Sequence, residues 1–257
     1  MPVGPDDALA VLRQDPATTG IFTDFDGTLA EIVDDPSAAT PVPGATDVLG
    51  ALARHHAVVA VISGRPVSFL ARHLPSSVLA VGLYGLEVRR AGRVEVEPEA
   101  ERWRAVVDDA ARTCEAEGRA GLTVEPKGLS LTLHFRQHPE LADEVASLAR
   151  RVGARTGLVV GAARRSVELH PPVAADKGTA LHGLAEGLGA ACFLGDDRGD
   201  LTAFRALDEL AAEGTRTIRV AVASDEAPAE LLAAADLTVA GPSAAVDLLR
   251  TLLPTGS

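Results

Sequence analysis

Aromatic residues are scarce in this 257-residue chain, at 3%, and it contains two cysteines, Cys114 and Cys192. The core must therefore be built mainly from Ala, Val, Leu and Ile, and a hydrophobic content of 47% excludes a disordered chain. The cysteines are far apart and lack the spacing of a metal site, so we expect buried thiols in a reducing compartment.

Long apolar runs are also missing, because no stretch approaches the roughly 20 residues that a membrane helix needs. The first twenty residues are acidic and interrupted by Pro and Gly, unlike a signal peptide. Lys and Arg total 24 against 36 Asp and Glu, and the net charge of −12 disfavours nucleic acid and anionic membranes as partners. These features predict a soluble cytoplasmic protein, which would need a metal ion or placed cations to receive a phosphate ester.

What the sequence does contain is an alternation of short apolar runs and helical stretches. The apolar runs end at turn residues, as buried parallel strands do, and cover Ile21–Phe25, Val58–Ser63, Val78–Gly82, Ala191–Gly195, Ile218–Val222 and Leu237–Val239. The helical stretches have apolar residues three or four positions apart and cover Gly44–His55, Pro66–His73, Lys177–Leu188, Asp200–Glu213, Ala227–Ala234 and Ser243–Leu253. This alternation predicts an α/β fold with a doubly wound parallel sheet.

The middle of the chain interrupts this alternation. It predicts, in order, a hairpin (Glu87–Glu97), a helix (Glu99–Glu117), two strands (Leu122–Val124, Leu129–Arg136), a helix (Glu140–Thr156) and two strands (Leu158–Val160, Ser166–His170). Because helix–strand–strand occurs twice without a parallel crossover, we expect a separate α+β layer of two α-β-β units. The predicted organisation is a core, residues 1–99 and 171–257, with an inserted domain, residues 100–170.

Two aspartates follow the first predicted strand, in the run from Asp24 to Thr28. Parallel α/β sheets bind ligands at the carboxyl ends of their strands, and strand alternation places Asp24 and Asp26 on one side of the chain. Carboxylates this close repel each other, so a shared proton or a cation must compensate. The Thr28 hydroxyl group can bind a phosphate oxygen. The alternative is an Asp-rich turn that caps a helix.

Two further motifs are candidates for anion binding. Ser63 ends the second strand, before Pro66 at a predicted helix start whose amides suit an anion. The alternative is a plain N-cap serine. Lys177 opens another helix, where a cation is unfavourable unless an anionic ligand, or the neighbouring Asp176, pairs with it.

Three aspartates, Asp196, Asp197 and Asp200, follow the fourth predicted strand. Carboxylates clustered at a strand end favour a hard cation with oxygen ligands, and the alternative is an acidic first turn of a helix. All four motifs fall at strand ends or at a helix start on the same edge of the predicted sheet. Together they supply a nucleophile, an acid/base, a phosphate-binding hydroxyl, a cation and a metal site, as phosphoryl transfer requires.

In this order, the motifs DFDGTL, SGR, KG and GDDRGD resemble the four motifs of the haloacid dehalogenase (HAD) superfamily. Three further stretches resemble the trehalose-6-phosphate phosphatase family, namely Gly82–Glu87, Glu125–Ser130 continuing to Arg136, and Glu168–Pro171. The resemblance covers nearly the whole chain. It implies a Rossmann-like core, a mobile α+β cap, hydrolysis of trehalose 6-phosphate to trehalose and phosphate, and a functional link to trehalose-6-phosphate synthase.

The same resemblance implies a role for each site residue. Asp24 would attack phosphorus and become an aspartyl phosphate, and Asp26 would act as acid and base. Mg²⁺ would be held by Asp24, the Asp26 carbonyl group and Asp196, with Asp197 and Asp200 close to it. The phosphate would be bound by Thr28, Ser63, Gly64, Arg65 and Lys177. The sugar would be bound by Glu125, Lys127, Ser130, Arg136 and Glu168.

Strand alternation gives the inserted domain a polar sheet face. Ser130, Thr132, His134 and Arg136 share one face, and the apolar residues between them share the other. A polar face suits a hydroxyl-rich sugar. The alternative is a solvated face on which His134 is an ordinary surface or packed residue.

Tyr84 and His170 depart from the family pattern, which often has histidine and arginine at these positions. These two departures leave open the alternative that the substrate is another disaccharide-like or pseudo-sugar phosphate. A binding module without activity is the remaining alternative, and it is disfavoured because such modules usually lose the nucleophile or a metal carboxylate, whereas this chain keeps Asp24, Asp196 and Asp200.

Overall fold

The structure is a computed structural model that describes residues 5–33, 35–163, 165–225 and 227–254. Its strands are β1 (Thr19–Thr23), β2 (Val58–Ile62), β3 (Leu79–Gly82), β4 (Glu87–Arg90), β5 (Arg93–Val96), β6 (Thr123–Pro126), β7 (Leu131–His134), β8 (Val159–Ala163), β9 (Ser166–His170), β10 (Ala190–Gly195), β11 (Arg216–Ala223) and β12 (Leu237–Ala240). Its helices are α1 (Pro5–Gln14), α2 (Ala45–Leu52), α3 (Val67–Leu70), α4 (Pro98–Glu101), α5 (Arg104–Glu117), α6 (Ala142–Thr156), α7 (Lys177–Ala185), α8 (Asp200–Ala212), α9 (Ala229–Ala234) and α10 (Gly241–Arg250). Within the described residues, none of these helices has both the length and the apolar character needed to cross a bilayer.

Eight strands form one sheet in the order β12-β11-β10-β1-β2-β3-β4-β5. Neighbouring strands from β12 to β3 are parallel, and β4 runs antiparallel to β3. In the centre, Phe22 of β1 lies between Phe193 of β10 and Ala60 of β2. The predicted parallel sheet is confirmed, and the predicted hairpin extends it at one edge.

Helices cover both faces of this sheet. Ile21 packs in a hydrophobic cluster with α1, α2, α3 and α10, whereas the next residue, Phe22, packs in a second cluster with α7, α8 and α9. A strand buried on both faces can be apolar throughout, and burying each large apolar side chain contributes about 1.5–3 kcal/mol. Cys192 of β10 lies in the first cluster, and burial raises the pKa of its thiol to about 12.

A second sheet has the order β6-β7-β9-β8 and is antiparallel throughout. Leu131 and Leu169 of this sheet pack with Val107 of α5 and Val145 of α6, in a cluster that also buries Cys114. The stretch Val96–Ala174 forms a compact unit, here called the inserted unit, and the remaining described residues form the core unit. The two predicted α-β-β units in the middle of the chain are thus confirmed. The helix predicted over Glu99–Glu117 is divided into α4 and α5, which are separated by Arg102 and Trp103.

Candidate active site

A buried lysine connects the ends of two central strands. Lys177 Nζ lies 2.9 Å from Asp24 Oδ2, which follows β1, and donates a hydrogen bond of 2.6 Å to Asp200 Oδ1, at the start of α8 after β10. The side chains of Lys177, Asp24 and Asp200 are 4%, 6% and 0% exposed. Because β1 and β10 are parallel neighbours, the predicted meeting of these residues at one sheet edge is what the structure shows.

Three carboxylates in this group suit a metal ion. Asp24, Asp196 and Asp200 offer oxygen atoms that all lie within 4.8 Å of one another. Burial, followed by the repulsion of Asp200 and Asp197, raises the pKa of Asp196 to about 8, and burial outweighs Lys177 to raise the pKa of Asp200 to about 6.

Burial also raises the pKa of Asp24 well above its ordinary value, in spite of Lys177. Burial lowers the pKa of Lys177, but Asp200 and Asp24 outweigh it and hold that pKa above its ordinary value. One lysine therefore faces an excess of buried negative charge. A hard divalent cation with oxygen ligands would compensate that excess, so the residues present fit Mg²⁺.

Asp200 also organises the loop that carries Asp196. Its Oδ2 atom accepts hydrogen bonds from the backbone N–H groups of Asp196 (2.8 Å) and Asp197 (3.0 Å). Two glycines permit the close approach, because a Cβ atom on Gly195 would lie 2.3 Å from Asp200 Cγ and one on Gly27 would lie 2.1 Å from Asp196 Oδ2. Gly27 also has a φ of +78°, which favours glycine. Asp200 does lie in the first turn of α8, as the alternative from the sequence proposes, but its carboxylate binds Lys177 and two backbone N–H groups that precede the helix.

Asp26 has a different partner from Asp24. Arg65 binds its carboxylate with both ends of the guanidinium, through Nε to Oδ2 at 2.8 Å and Nη2 to Oδ1 at 2.7 Å. The predicted strand alternation does not extend to Asp26, because β1 ends at Thr23 and the chain turns. The Arg65 guanidinium, which the resemblance assigns to phosphate, is stacked over the Phe69 ring at 4.4 Å and held on Asp26.

The remaining phosphate-binding candidates lie in the same loops. The Thr28 hydroxyl group donates to Asp196 Oδ1 at 3.3 Å, and the buried Ser63 Oγ accepts from the Arg65 backbone N–H at 3.2 Å. The helix predicted over Pro66–His73 is shorter, because Pro66 is extended and only Val67–Leu70 is helical. The Val67 N–H donates to Glu87 Oε2 at 2.8 Å, so a carboxylate of this chain already uses the amide that the sequence assigned to an anion.

Asp197 and Tyr84 border this group. Asp197 Oδ1 accepts from the Gly199 N–H at 2.8 Å and lies 4.0 Å from Lys177 Nζ, with its side chain 51% exposed. Tyr84 has a left-handed φ of 60°, and its hydroxyl oxygen would lie 2.5 Å from a Cβ atom at Gly64. Gly64 is therefore a glycine because the Tyr84 ring occupies the space beside it.

The sugar-binding candidates lie in the inserted unit. Ser130 Oγ donates to Glu168 Oε1 at 2.9 Å, and Lys127 Nζ lies 4.0 Å from both Glu168 Oε1 and Glu125 Oε2. These four residues are thus brought together, whereas Arg136 lies half-buried in the turn after β7. His170 Nδ1 lies 2.9 Å from the Pro171 carbonyl oxygen.

His134 also belongs to this group, although the sequence placed it on the polar sheet face without assigning it to the sugar. Its Nε2 atom lies 2.7 Å from Glu125 Oε2. The available signal was that His134 shares a strand face with Ser130, but the sequence did not show which residue of β6 would stand opposite.

Several known proteins are similar to this chain. The family model described as Trehalose-phosphatase matches residues 22–237, a span that includes both the aspartates after β1 and the Asp196–Asp200 cluster. Among curated relatives, a trehalose-phosphate phosphatase of Mycolicibacterium paratuberculosis is 37% identical over 201 residues, covering 73% of this chain and 51% of the relative. An uncharacterized glycosyl hydrolase of Mycobacterium tuberculosis is 36% identical over 207 residues, covering 73% of this chain and 15% of the relative.

Among solved structures, the C-terminal domain of trehalose-6-phosphate phosphatase from C. albicans has the same fold, with a TM-score of 0.77 at 21% identity over 99% of this chain and 98% of that one. The chain spans about half the length, or less, of the two curated relatives described above. The family model nevertheless covers most of the chain and every predicted site residue. The chain belongs to the trehalose-phosphatase family, on a HAD-type fold.

Proposed function

We propose that this protein is a Mg²⁺-dependent phosphatase that hydrolyses trehalose 6-phosphate to trehalose and phosphate. The observation that carries the proposal is the buried group of Asp24, Lys177, Asp196 and Asp200 at the carboxyl edge of the central sheet. The family match and the relatives named as trehalose-phosphate phosphatases support the choice of substrate. A functional link to trehalose-6-phosphate synthase, as the source of the ester, is part of the same proposal.

The reaction that this group supports has two steps. A carboxylate oxygen of Asp24 forms a bond to phosphorus while the bond from phosphorus to the sugar oxygen breaks, and the carboxyl group of Asp26 gives that oxygen its proton. Water then attacks phosphorus and gives a proton to the Asp26 carboxylate, while the bond from phosphorus to the Asp24 oxygen breaks. Phosphate leaves, and both aspartates return to their starting forms. Lys177 holds Asp24 in place. Arg65 binds both oxygen atoms of Asp26 in the structure, so one of these bonds must open before Asp26 can carry the proton that it gives to the sugar oxygen.

Asp24, Asp196 and Asp200 would hold Mg²⁺, which when bound neutralises charge on the phosphoryl group. Ser63, Gly64 and Thr28, in the loops after β1 and β2, are proposed to contact phosphate oxygens. Residues Glu125, Lys127, Ser130, Arg136 and Glu168 of the inserted unit, the proposed cap, are proposed to bind sugar hydroxyl groups. Carboxylates and a lysine suit this task because hydroxyl groups both donate and accept hydrogen bonds.

Phosphate release from a panel of esters tests this function. With Mg²⁺, we expect kcat/KM for trehalose 6-phosphate to exceed the value for glucose 6-phosphate by about 100-fold or more, because the second sugar ring gives the polar groups of the inserted unit more to bind. The value for sucrose 6-phosphate should also be lower, because its second ring is a five-membered fructose ring whose hydroxyl groups are placed differently. Equal rates across the panel would remove trehalose from the proposal and leave a general phosphatase. A clear preference for another disaccharide ester would point to the alternative that Tyr84 and His170 leave open.

Metal binding should depend on pH. The pKa of Asp196 in the folded protein, about 8, lies above its ordinary value, so ionising this side chain costs stability. The protonated side chain contributes fully to the stability of the metal-free protein below a pH of about 4, and this contribution is lost as the pH rises through 8. Mg²⁺ binds the ionised carboxylates and competes with protons. The increase in Tm on replacing EDTA with Mg²⁺ should therefore be larger at a pH of about 8.5 than at about 5.5.

Thermal unfolding with and without Mg²⁺ across this range measures the effect. Asp196→Asn should lose most of the Mg²⁺ effect at every pH, since it removes one of the three carboxylates that would hold the ion. An Mg²⁺ effect that is equal at all pH values, or largest in acid, would contradict the assignment of the metal to this group.

A further inference from the structure

We infer that His134 is a positioning residue that orients Glu125 for binding the sugar of the substrate. The inference rests on the proposed function. Its starting point is the 2.7 Å contact between His134 Nε2 and Glu125 Oε2 in the inserted unit. An ionised carboxylate only accepts hydrogen bonds, so Nε2 carries the proton and donates it.

The register of the sheet produces this contact. Glu125 of β6 pairs with Thr132 of β7, and Thr123 of β6 pairs with His134. Glu125 and His134 are therefore diagonal neighbours on the same face, at a spacing that long side chains can bridge. The side chains are 31% and 23% exposed, so the contact is sheltered from water more than an ordinary surface pair.

A second glutamate on this face is held in the same way. Glu168 of β9 also pairs with Thr132, from the other side, and accepts a hydrogen bond from Ser130 at 2.9 Å. Strand β7 thus stands between two glutamates, and a donor near each of its ends binds one of them: Ser130 binds Glu168 and His134 binds Glu125.

Lys127 cannot replace these donors. Its ammonium group lies 4.0 Å from Glu125 Oε2 and 4.0 Å from Glu168 Oε1, which is beyond hydrogen-bond distance for both. It balances charge between the carboxylates without fixing the orientation of either. His134 therefore supplies a hydrogen bond to Glu125 that Lys127 does not. A sugar hydroxyl group would meet a carboxylate that is already placed, so less conformational entropy is lost on binding.

The test compares His134→Phe with His134→Gln. Phenylalanine keeps an aromatic ring and is common in β-strands, but it has no N–H group to donate to Glu125. The amide of glutamine restores an N–H donor. For trehalose 6-phosphate we expect His134→Phe to raise KM about 10- to 100-fold with kcat changed little, since a hydrogen bond to a charged group is lost. His134→Gln should recover most of this loss. Hydrolysis of p-nitrophenyl phosphate, which has no sugar, should be unchanged in both variants.

Two controls separate positioning from general stability. His138→Phe removes the donor from another His–Glu pair of the same unit, in which His138 Nδ1 lies 3.0 Å from Glu140 Oε1 with side chains 46% and 67% exposed, and it should leave both activities unchanged. In a Glu125→Gln background, His134→Phe should have little further effect on KM for trehalose 6-phosphate, because the residue that it positions is already altered.

Several results would overturn the inference. The first is an unchanged KM for trehalose 6-phosphate in His134→Phe. The second is an equal loss of activity on trehalose 6-phosphate and on p-nitrophenyl phosphate in that variant. The third is an increase in KM on adding His134→Phe to Glu125→Gln that is as large as in the unmodified protein. Failure of the proposed function has a different signature, because the unmodified protein itself would then hydrolyse p-nitrophenyl phosphate but not trehalose 6-phosphate.

Discussion

Asp24→Asn should lower phosphate release from trehalose 6-phosphate by a factor of about 10⁴ or more, since the amide cannot act as the nucleophile. The same change should make the metal-free protein more stable at neutral pH. The reason is that burial and the repulsion of Asp200 and Asp196 outweigh Lys177 and raise the pKa of Asp24, so the ionised side chain costs stability in the folded state.

Initial rates with Mg²⁺, together with thermal unfolding in EDTA, measure these two opposite effects. Asp247→Asn, in which a carboxylate 71% exposed is changed, is the matched control and should alter neither quantity. If Asp24→Asn keeps a tenth or more of the activity, Asp24 is not the nucleophile. If it is inactive and also much less stable than the unmodified protein, the loss of activity reflects misfolding rather than missing chemistry.

Lys177→Met should have the largest effect on stability. It removes the cation between Asp24 and Asp200 while leaving both carboxylates buried, and breaking a buried ion pair in this way costs about 3–5 kcal/mol. For a protein of this size that corresponds to a decrease in Tm of about 6–20 °C. Activity on every phosphate ester should fall too, because Asp24 is no longer held.

Thermal unfolding of Lys177→Met, with and without Mg²⁺, checks this expectation. Mg²⁺ should restore part of the lost stability, because a divalent cation compensates the same carboxylates. The double variant Lys177→Met with Asp24→Asn should lose less than the single lysine variant, since one of the uncompensated charges is gone. A Tm for Lys177→Met equal to that of the unmodified protein would show that the lysine does not stabilise this group.

The sequence by itself determined the layers of the fold and the edge at which the chemistry lies. Apolar runs such as the one through Ile21 and Phe22 predicted the parallel sheet, because a strand buried on both faces must be apolar throughout. The helix–strand–strand repeats predicted the second sheet. Since the carboxyl ends of adjacent parallel strands meet, the position of the motifs at strand ends and at a helix start was enough to predict that Asp24, Lys177 and Asp200 lie at one edge of the sheet.

Only the tertiary structure decided which side chain each of these residues contacts. Asp26 pairs with Arg65, 39 positions along the chain, because β1 ends at Thr23 and a turn redirects the carboxylate. His134 pairs with Glu125 because the β6–β7 register makes them diagonal neighbours, and a shift of one residue would place the two side chains on opposite faces. Patterns along a sequence record local periodicity and burial. Pairing between side chains from different elements depends on register and on where each element ends, and these are set by packing of the whole sheet.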